Sequence, residues 1–241
     1  MLSIFRKEIR SFFSNSTGYI VVGIFLLLTG LFLWVVPGTY NIPDSGYASV
    51  DGLFYVAPWL YLFLCPAITM RMLAEERQSG TWELLVTKPL SKWSIITGKY
   101  LAGWLLVLIA LLPTVVYYFS VSYLAEPAGN VDSGAFWGSF LGLVFLAAVY
   151  IAIGIFSSSI SNNQIVAFVV AVVISFFMFY GFDLIADFIS SSETGYKITR
   201  IGLNAHYNSM SRGVIDSTDL SYFGVIIFIF LFLSERIINR N

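Results

Sequence analysis

Charge is what this chain has least of. Asp, Glu, Lys and Arg make up 11% of its 241 residues, against about 25% in a soluble globular domain. That leaves too little polar surface to cover a water-soluble core. The net charge of −1 gives no basic excess that would draw the chain to nucleic acid. A single cysteine, Cys65, excludes an intrachain disulfide; it lies in an apolar run and reads as a small buried hydrophobe. The single histidine, His206, is far from it in sequence, so no zinc-type cluster forms. Between Ala205 and Tyr207, that histidine reads as a surface side chain. The apolar runs lack the period-two alternation of barrel strands, and there is no internal repeat or low-complexity tract. Ionisable residues are missing from the middle of these runs, since Asp183, Asp187 and Glu235 fall at their ends, which argues against a proton-driven transporter. No paired carboxylates, and no Ser or Cys with a base, share one depth, so an intramembrane enzyme is excluded as well.

What remains is apolar and aromatic. Hydrophobic residues reach 58% and aromatic residues 17%, with a mean hydropathy of +0.81. Trp and Tyr at that level suit a membrane–water boundary. Backbone in lipid must satisfy its own hydrogen bonds, and crossing the hydrocarbon takes about 20 apolar residues. The expected fold is an all-α polytopic membrane protein, one domain over 1–241. Its spans fall at about 19–36, 53–70, 100–124, 136–156, 165–182 and 219–238. The last is the shortest apolar run; Asp216 or Ser217 can cap its start, with Glu235 and Arg236 reaching water at its end. The basic N-terminus (Arg6, Lys7, Arg10) precedes the first span with no small-residue cleavage pattern after it, so that span reads as uncleaved.

Lys and Arg set the orientation. Ten lie in the N-terminal segment, the connector after the second span and the C-terminal tail, and three lie on the opposite side. The positive-inside bias puts both termini and that connector in the cytoplasm. Pro127 and the Pro37-Gly38 pair mark the two short outer loops as turns. The third outer segment, 183–221, is too long to be structureless; its imperfect apolar stripe suits an outer helix, interfacial or re-entrant. On a helix, Arg212 and Asp216 would form a local ion pair. Pro58, Pro66 and Pro113 can kink spans two and three, and Gly98 and Gly103 can admit a neighbouring helix.

Many of the chain's few charges crowd into one stretch, "EERQSGTWELLVTKPLSKW" at 75–93. Glu75, Glu76 and Arg77 end the second span, Gly80 breaks the helix, and Thr81 can cap a new one. Glu83 sits in its first turn near the positive end of the helix dipole. Trp82, Leu84, Leu85 and Val86 give it an apolar side, and Pro89 stops it. Ser91 can cap the helix that follows. Such a connector either floats on headgroups or docks in a groove on a cytoplasmic partner. Three acids, Glu75, Glu76 and Glu83, would be repelled by an anionic leaflet, which favours docking.

The pattern Arg71-x-x-x-Glu75-Glu76-Arg77-x-x-Gly80-Thr81-x-Glu83-x-Leu85, then Pro89 and Lys99, resembles the signature of ABC-2-type transporter permeases. The stretch "AHYNSMSRGVIDSTDLSYF" at 205–223 is similar to the gliding-motility-associated branch of that family. The resemblance implies that the helix at the connector is a coupling helix meeting a cytoplasmic ATPase subunit. The interface it implies comprises Arg71, Glu75, Glu76, Arg77, Gly80, Thr81, Trp82, Glu83, Leu84, Leu85, Pro89 and Lys99. It also implies pairing with a second copy, or with a permease-like or accessory membrane subunit that has a periplasmic part, in a bacterial inner membrane. A P-loop requires G-x-x-x-x-G-K-[ST]. The only Gly-Lys pair, Gly98-Lys99, has Tyr100 after it and Trp93 where the first glycine belongs. The expected chain therefore has no catalytic site and binds no cofactor; ATP and magnesium would sit in the partner.

Overall fold

A computed structural model of the chain describes residues 1–87, 91–189, 192–211 and 216–240. Helices run α1 (Leu2–Ser14), α2 (Ser16–Trp34), α3 (Ile42–Ser45), α4 (Asp51–Gln78), α5 (Thr81–Val86) and α6 (Lys92–Leu111). There follow α7 (Val115–Leu124), α8 (Ser133–Ile160), α9 (Gln164–Phe176), α10 (Phe182–Asp187), α11 (Ser192–Thr199), α12 (Leu203–Met210) and α13 (Ser217–Arg240). Among the described residues there is no strand. Six stretches are long and apolar enough to cross a membrane: Ser16–Trp34, Asp51–Gln78, Lys92–Leu124, Ser133–Ile160, Gln164–Asp187 and Ser217–Asn239. The chain is a polytopic all-α membrane protein.

The axis of the bundle is α8, packed against α4 on one side and α13 on another, with α9, α6 and α12 filling the remaining flanks. Its sequence explains why it occupies the centre. Small residues recur along it (Gly142, Ala147, Ala148, Ala152, Gly154, Ser157–Ser159), so neighbouring backbones come close. At Gly154 the fit allows nothing larger, because a Cβ would lie 2.0 Å from Thr69 Oγ1 of α4. In contrast, α2 turns one long face outward, with Tyr19, Ile20, Ile24, Leu27 and Leu31 exposed. An outward apolar face of this kind suits lipid.

The helices run past the apolar stretches that announce them. The charged end of α4 continues through Arg71, Glu75, Glu76 and Arg77 to Gln78. Pro58 and Pro66 stay inside α4, whereas Pro113 is the middle residue of a 3-10 turn, Leu112–Thr114, that joins α6 to α7. A π-helical turn, Phe177–Gly181, joins α9 to α10. Gly98 receives the start of α1, and Gly103 receives Ile151 of α8 and Met72 of α4. Cys65 is free and fully buried.

One element is absent from the sequence-based expectation. The basic N-terminus is itself the helix α1, separated from α2 by one extended residue, Asn15. Phe5, Ile9 and Phe12 follow helical spacing, and the charges Arg6, Lys7, Glu8 and Arg10 lie between them. This helix packs along α6 and against the start of α2. Lys92 Nζ donates to the Ile238 carbonyl near the end of α13 at 3.0 Å. Both termini and α5 therefore lie at one end of the bundle.

Candidate functional site

The α5 end is built on a buried group of charges drawn from three helices. Lys99 of α6 is fully buried. Its ammonium reaches Glu8 of α1 at 2.7 Å, Glu76 of α4 at 2.9 Å and the Met72 carbonyl at 2.6 Å. Lys7 of α1 reaches the same Glu76 oxygen at 2.6 Å. Two ammoniums and two carboxylates thus cancel one another. A buried charge is tolerated only when it is paired and hydrogen-bonded in this way. Desolvation works to lower the pKa of Lys7. The hydrogen bond from Lys7 to Glu76 and the charges of Glu76, Glu8 and Glu75 outweigh it and raise that ammonium above its usual 10.5. Raised values of this kind stabilise the folded state below the usual value, and the gain is lost only as pH climbs through the folded one.

The sequence pattern treats Glu76 and Arg77 as residues emerging into water at the helix end; the structure does not place them there. Because α1 lies across that end of α4, Glu76 is 8% exposed and paired inside the chain. Arg77 donates from Nη1 to the Ser159 carbonyl of α8 at 2.6 Å and lies over the Trp82 ring at 5.9 Å. Arg71 donates to Thr17 Oγ1 at 3.1 Å. One helical turn away, Ser158 Oγ of α8 accepts the N–H groups of Leu73 and Ala74, both at 3.0 Å. Arg71, Glu76, Arg77 and Lys99 therefore tie α4 to α1, α2, α6 and α8.

Four of the remaining residues of the predicted set face outward. Glu75, Gly80, Thr81 and Glu83 are exposed. Gly80 turns the chain between α4 and α5 with φ +71, a conformation that favours glycine. Thr81 does not cap α5 from outside. It is the first residue of the helix, and its hydroxyl donates back to the Glu76 carbonyl at 3.3 Å. Trp82 is partly buried against the core. Leu84 and Leu85 lie on α5, but their side chains, together with all of Pro89 and Arg212, lie outside the described residues. Ser91 caps α6 as its position predicts, accepting the Ser94 N–H at 3.2 Å.

Between α1 and the end of α4 opens a cleft of about 240 Å³, lined by Lys7, Glu8, Arg71, Glu75, Glu76 and Thr81 among others. Among the described residues, no group of His, Cys, Asp and Glu side chains suits a metal ion.

The opposite end is closed by α10–α12. Leu203, Tyr207 and Met210 of α12 are buried. Tyr207 Oη donates to the Phe54 carbonyl at 2.8 Å, and Ser139 Oγ to the Ser211 carbonyl at 3.0 Å. His206 is no isolated surface residue. Its ring contacts Asp219 of α13 at 2.7 Å and the Arg200 carbonyl at 2.9 Å, and it stacks on Tyr222 at 3.8 Å. Asp219 is itself buried at the start of α13. Sequence alone hides this arrangement, because the partners lie on other elements and have no motif spacing. Among the described residues, Glu76, Lys99 and Asp219 are the buried charges, and the apolar runs announced none of them.

The geometry is that of a helical membrane protein with a short helix beside a cluster of paired charges. No curated protein matches the chain. A family model described as ABC-2 family transporter protein matches residues 2–213, from the start of α1 past the end of α12. That match covers nearly the whole chain, which therefore belongs to the ABC-2 family of transporter proteins.

Proposed function

We propose that this chain is the membrane permease subunit through which a separate cytoplasmic ATPase drives an ABC transporter, with α5 as the coupling helix. Membership of the ABC-2 family makes it a membrane component that works with such an ATPase subunit. One observation carries the residue-level reading: α5 stands between two membrane-spanning helices whose ends are locked together by the Lys7, Glu8, Glu76 and Lys99 cluster. A push on α5 would then move α4 and α6 as one body rather than bending the connector. In this reading the exposed Glu75, Gly80, Thr81 and Glu83, with Trp82, Leu84, Leu85 and Pro89, meet the ATPase. Arg71, Glu76, Arg77 and Lys99 form the seat beneath them. ATP and magnesium would be held by the partner.

The count of Lys and Arg supports cytoplasmic termini, and the resemblance to ABC-2-type permeases supports a bacterial inner membrane. The solid packing around α8 supports pairing, with a second copy or with another permease-like or accessory membrane subunit. A gliding-motility-associated type is supported by the 205–223 stretch, which the family match covers only as far as residue 213. Phe188, Tyr196 and Ile201 are exposed around α11. They favour a second reading in which the far end hands mechanical work to a partner outside the membrane and moves no solute.

The test is co-purification from native membranes. Wild type should bring down an ATPase that carries a P-loop, and the Leu84→Asp, Leu85→Asp double variant should lose it while keeping its thermal stability. Equal recovery with both would overturn docking through α5.

A further inference from the structure

We propose that His206 and Asp219 form a proton-dependent joint between the α11–α12 segment and α13, closed when the pair holds one shared proton and released when that proton leaves. The argument rests on which atoms face one another. Nε2 of the ring lies 2.9 Å from the Arg200 carbonyl oxygen, which can only accept, so Nε2 carries a hydrogen and donates it. Nδ1 lies 2.7 Å from Oδ1 of Asp219. A carboxylate oxygen also accepts only. A second proton therefore lies on that line, carried by the ring or by the carboxyl group. Removing it sets the Nδ1 lone pair against a carboxylate oxygen at hydrogen-bond distance, with the carboxylate shut away from water. Moving the remaining ring hydrogen to Nδ1 would restore that contact but break the one to Arg200. Beside an ionised Asp219, the neutral ring can keep one of the two bonds, never both.

The surroundings offer no substitute for the proton. From α13, Asp219 and Tyr222 face the ring; Tyr222 stacks on it and donates its hydroxyl to the Ile201 carbonyl. From the end of α11 the ring meets the Arg200 carbonyl, while the Arg200 guanidinium lies over Tyr196. Within α12, Tyr207 is engaged with Phe54, and Asp183 of α10 accepts from Asn204. Asp216, just before α13, accepts the Thr218 N–H. Among the described residues no cation other than the ring touches Asp219, and its Oδ2 has no hydrogen-bond partner. The joint ties the segment that caps the far end to the start of a membrane-spanning helix, so its state sets how freely that cap moves.

The test uses the full-length chain in lipid nanodiscs, purified without a histidine tag so that its only histidine is observed. Spin labels go on the exposed Asn208→Cys and Ser221→Cys positions in a Cys65→Ala background, and interlabel distances are read between about pH 5 and pH 9, a range in which histidines ordinarily change charge. The expected result is one narrow distance distribution at low pH, broadening as nitrogen NMR reports loss of the second ring proton. Asp219→Asn is the decisive variant. Its amide donates to Nδ1 of a neutral ring whose Nε2 still serves Arg200, so the distribution should stay narrow throughout. A wild-type distribution indifferent to pH would overturn the proposal. So would an Asp219→Asn variant that broadens as the wild type does. Should that variant fail to fold, wild-type labels that stay close at a pH where nitrogen NMR shows Nδ1 neither protonated nor hydrogen-bonded overturn it equally.

Discussion

At the α5 end, a buried ammonium and two largely buried carboxylates from α1, α4 and α6 are joined from the surface by a second ammonium, Lys7, while at the far end one imidazole and one carboxylate share a proton. Both arrangements bury Asp or Glu and bridge different helices, Lys99 and Glu8 lying 91 residues apart and His206 and Asp219 only 13. They differ in what holds the charge balance. Lys99 contacts both Glu8 and Glu76, and lysine ordinarily keeps its proton across the neutral range. Histidine does not. The first arrangement is a permanent splice at the end where the ATPase is proposed to push. The second is a conditional joint at the end that would respond to that push.

Removing the splice should produce the largest effect. Lys99→Met leaves Glu8 and Glu76 without their buried cation, and losing one partner of such a pair costs about 3–5 kcal/mol. Denaturant unfolding in detergent measures it. Adding Glu8→Gln to the variant should recover part of the loss, because the two sites are in contact and their effects do not add. If Lys99→Met proved no worse than Asp219→Asn, the contrast between the two ends would fail.

A packing control comes next. Gly154→Ala would place a methyl group against Thr69 between α4 and α8, and overpacking of that kind costs about 1–3 kcal/mol. It should lower thermal stability without altering the pH response of the spin-label distances, which separates general loosening from the joint.

Helix caps sharpen the comparison from the other side. Ser91 caps α6 at the α5 end, and Asp132 caps α8 at the far end, its carboxylate accepting the Ala135 N–H at 2.9 Å. Ser91→Ala and Asp132→Ala should each cost about 0.5–2 kcal/mol. Similar losses would show that the ends differ in how they balance charge rather than in how firmly their helices are capped.

The smallest effect is an expected constancy. The raised ammonium of Lys7 keeps its contribution below its usual value and loses it only in strong alkali. Hydrogen-exchange protection of α1, corrected for the intrinsic pH dependence of exchange, should therefore remain steady between about pH 6 and pH 9, the range over which the far end changes.

The spans were legible because each is a long continuous apolar run, a signal that lipid imposes directly. Their ends were less so. The end of α4 is held by Ser158 and Ser159 of α8 and by Lys7 and Lys99, none of which follows any spacing within α4. The helix α1 was hidden for a similar reason. Its charges read as the basic flank of a first span, although Glu8 finds its partner 91 residues away on α6. The start of the connector helix could be read from Gly80 and the cap of α6 from Ser91, since turns and caps are local. Whether Glu76 faced water or protein could not, because that depended on where α1 lay. His206 was misjudged on the same ground, its carbonyl and carboxylate partners coming from α11 and α13.

The placement of α8 has a consequence for traffic. A subunit whose axis is a packed helix, with Thr69 pressed against Gly154, has no lumen along its own centre line. Whatever such a subunit does to a passenger or a neighbour, it must do at its perimeter, where α2 and α9 present bare aliphatic flanks. Changes on the axis should register as protein that fails to accumulate, and changes on those flanks as altered company.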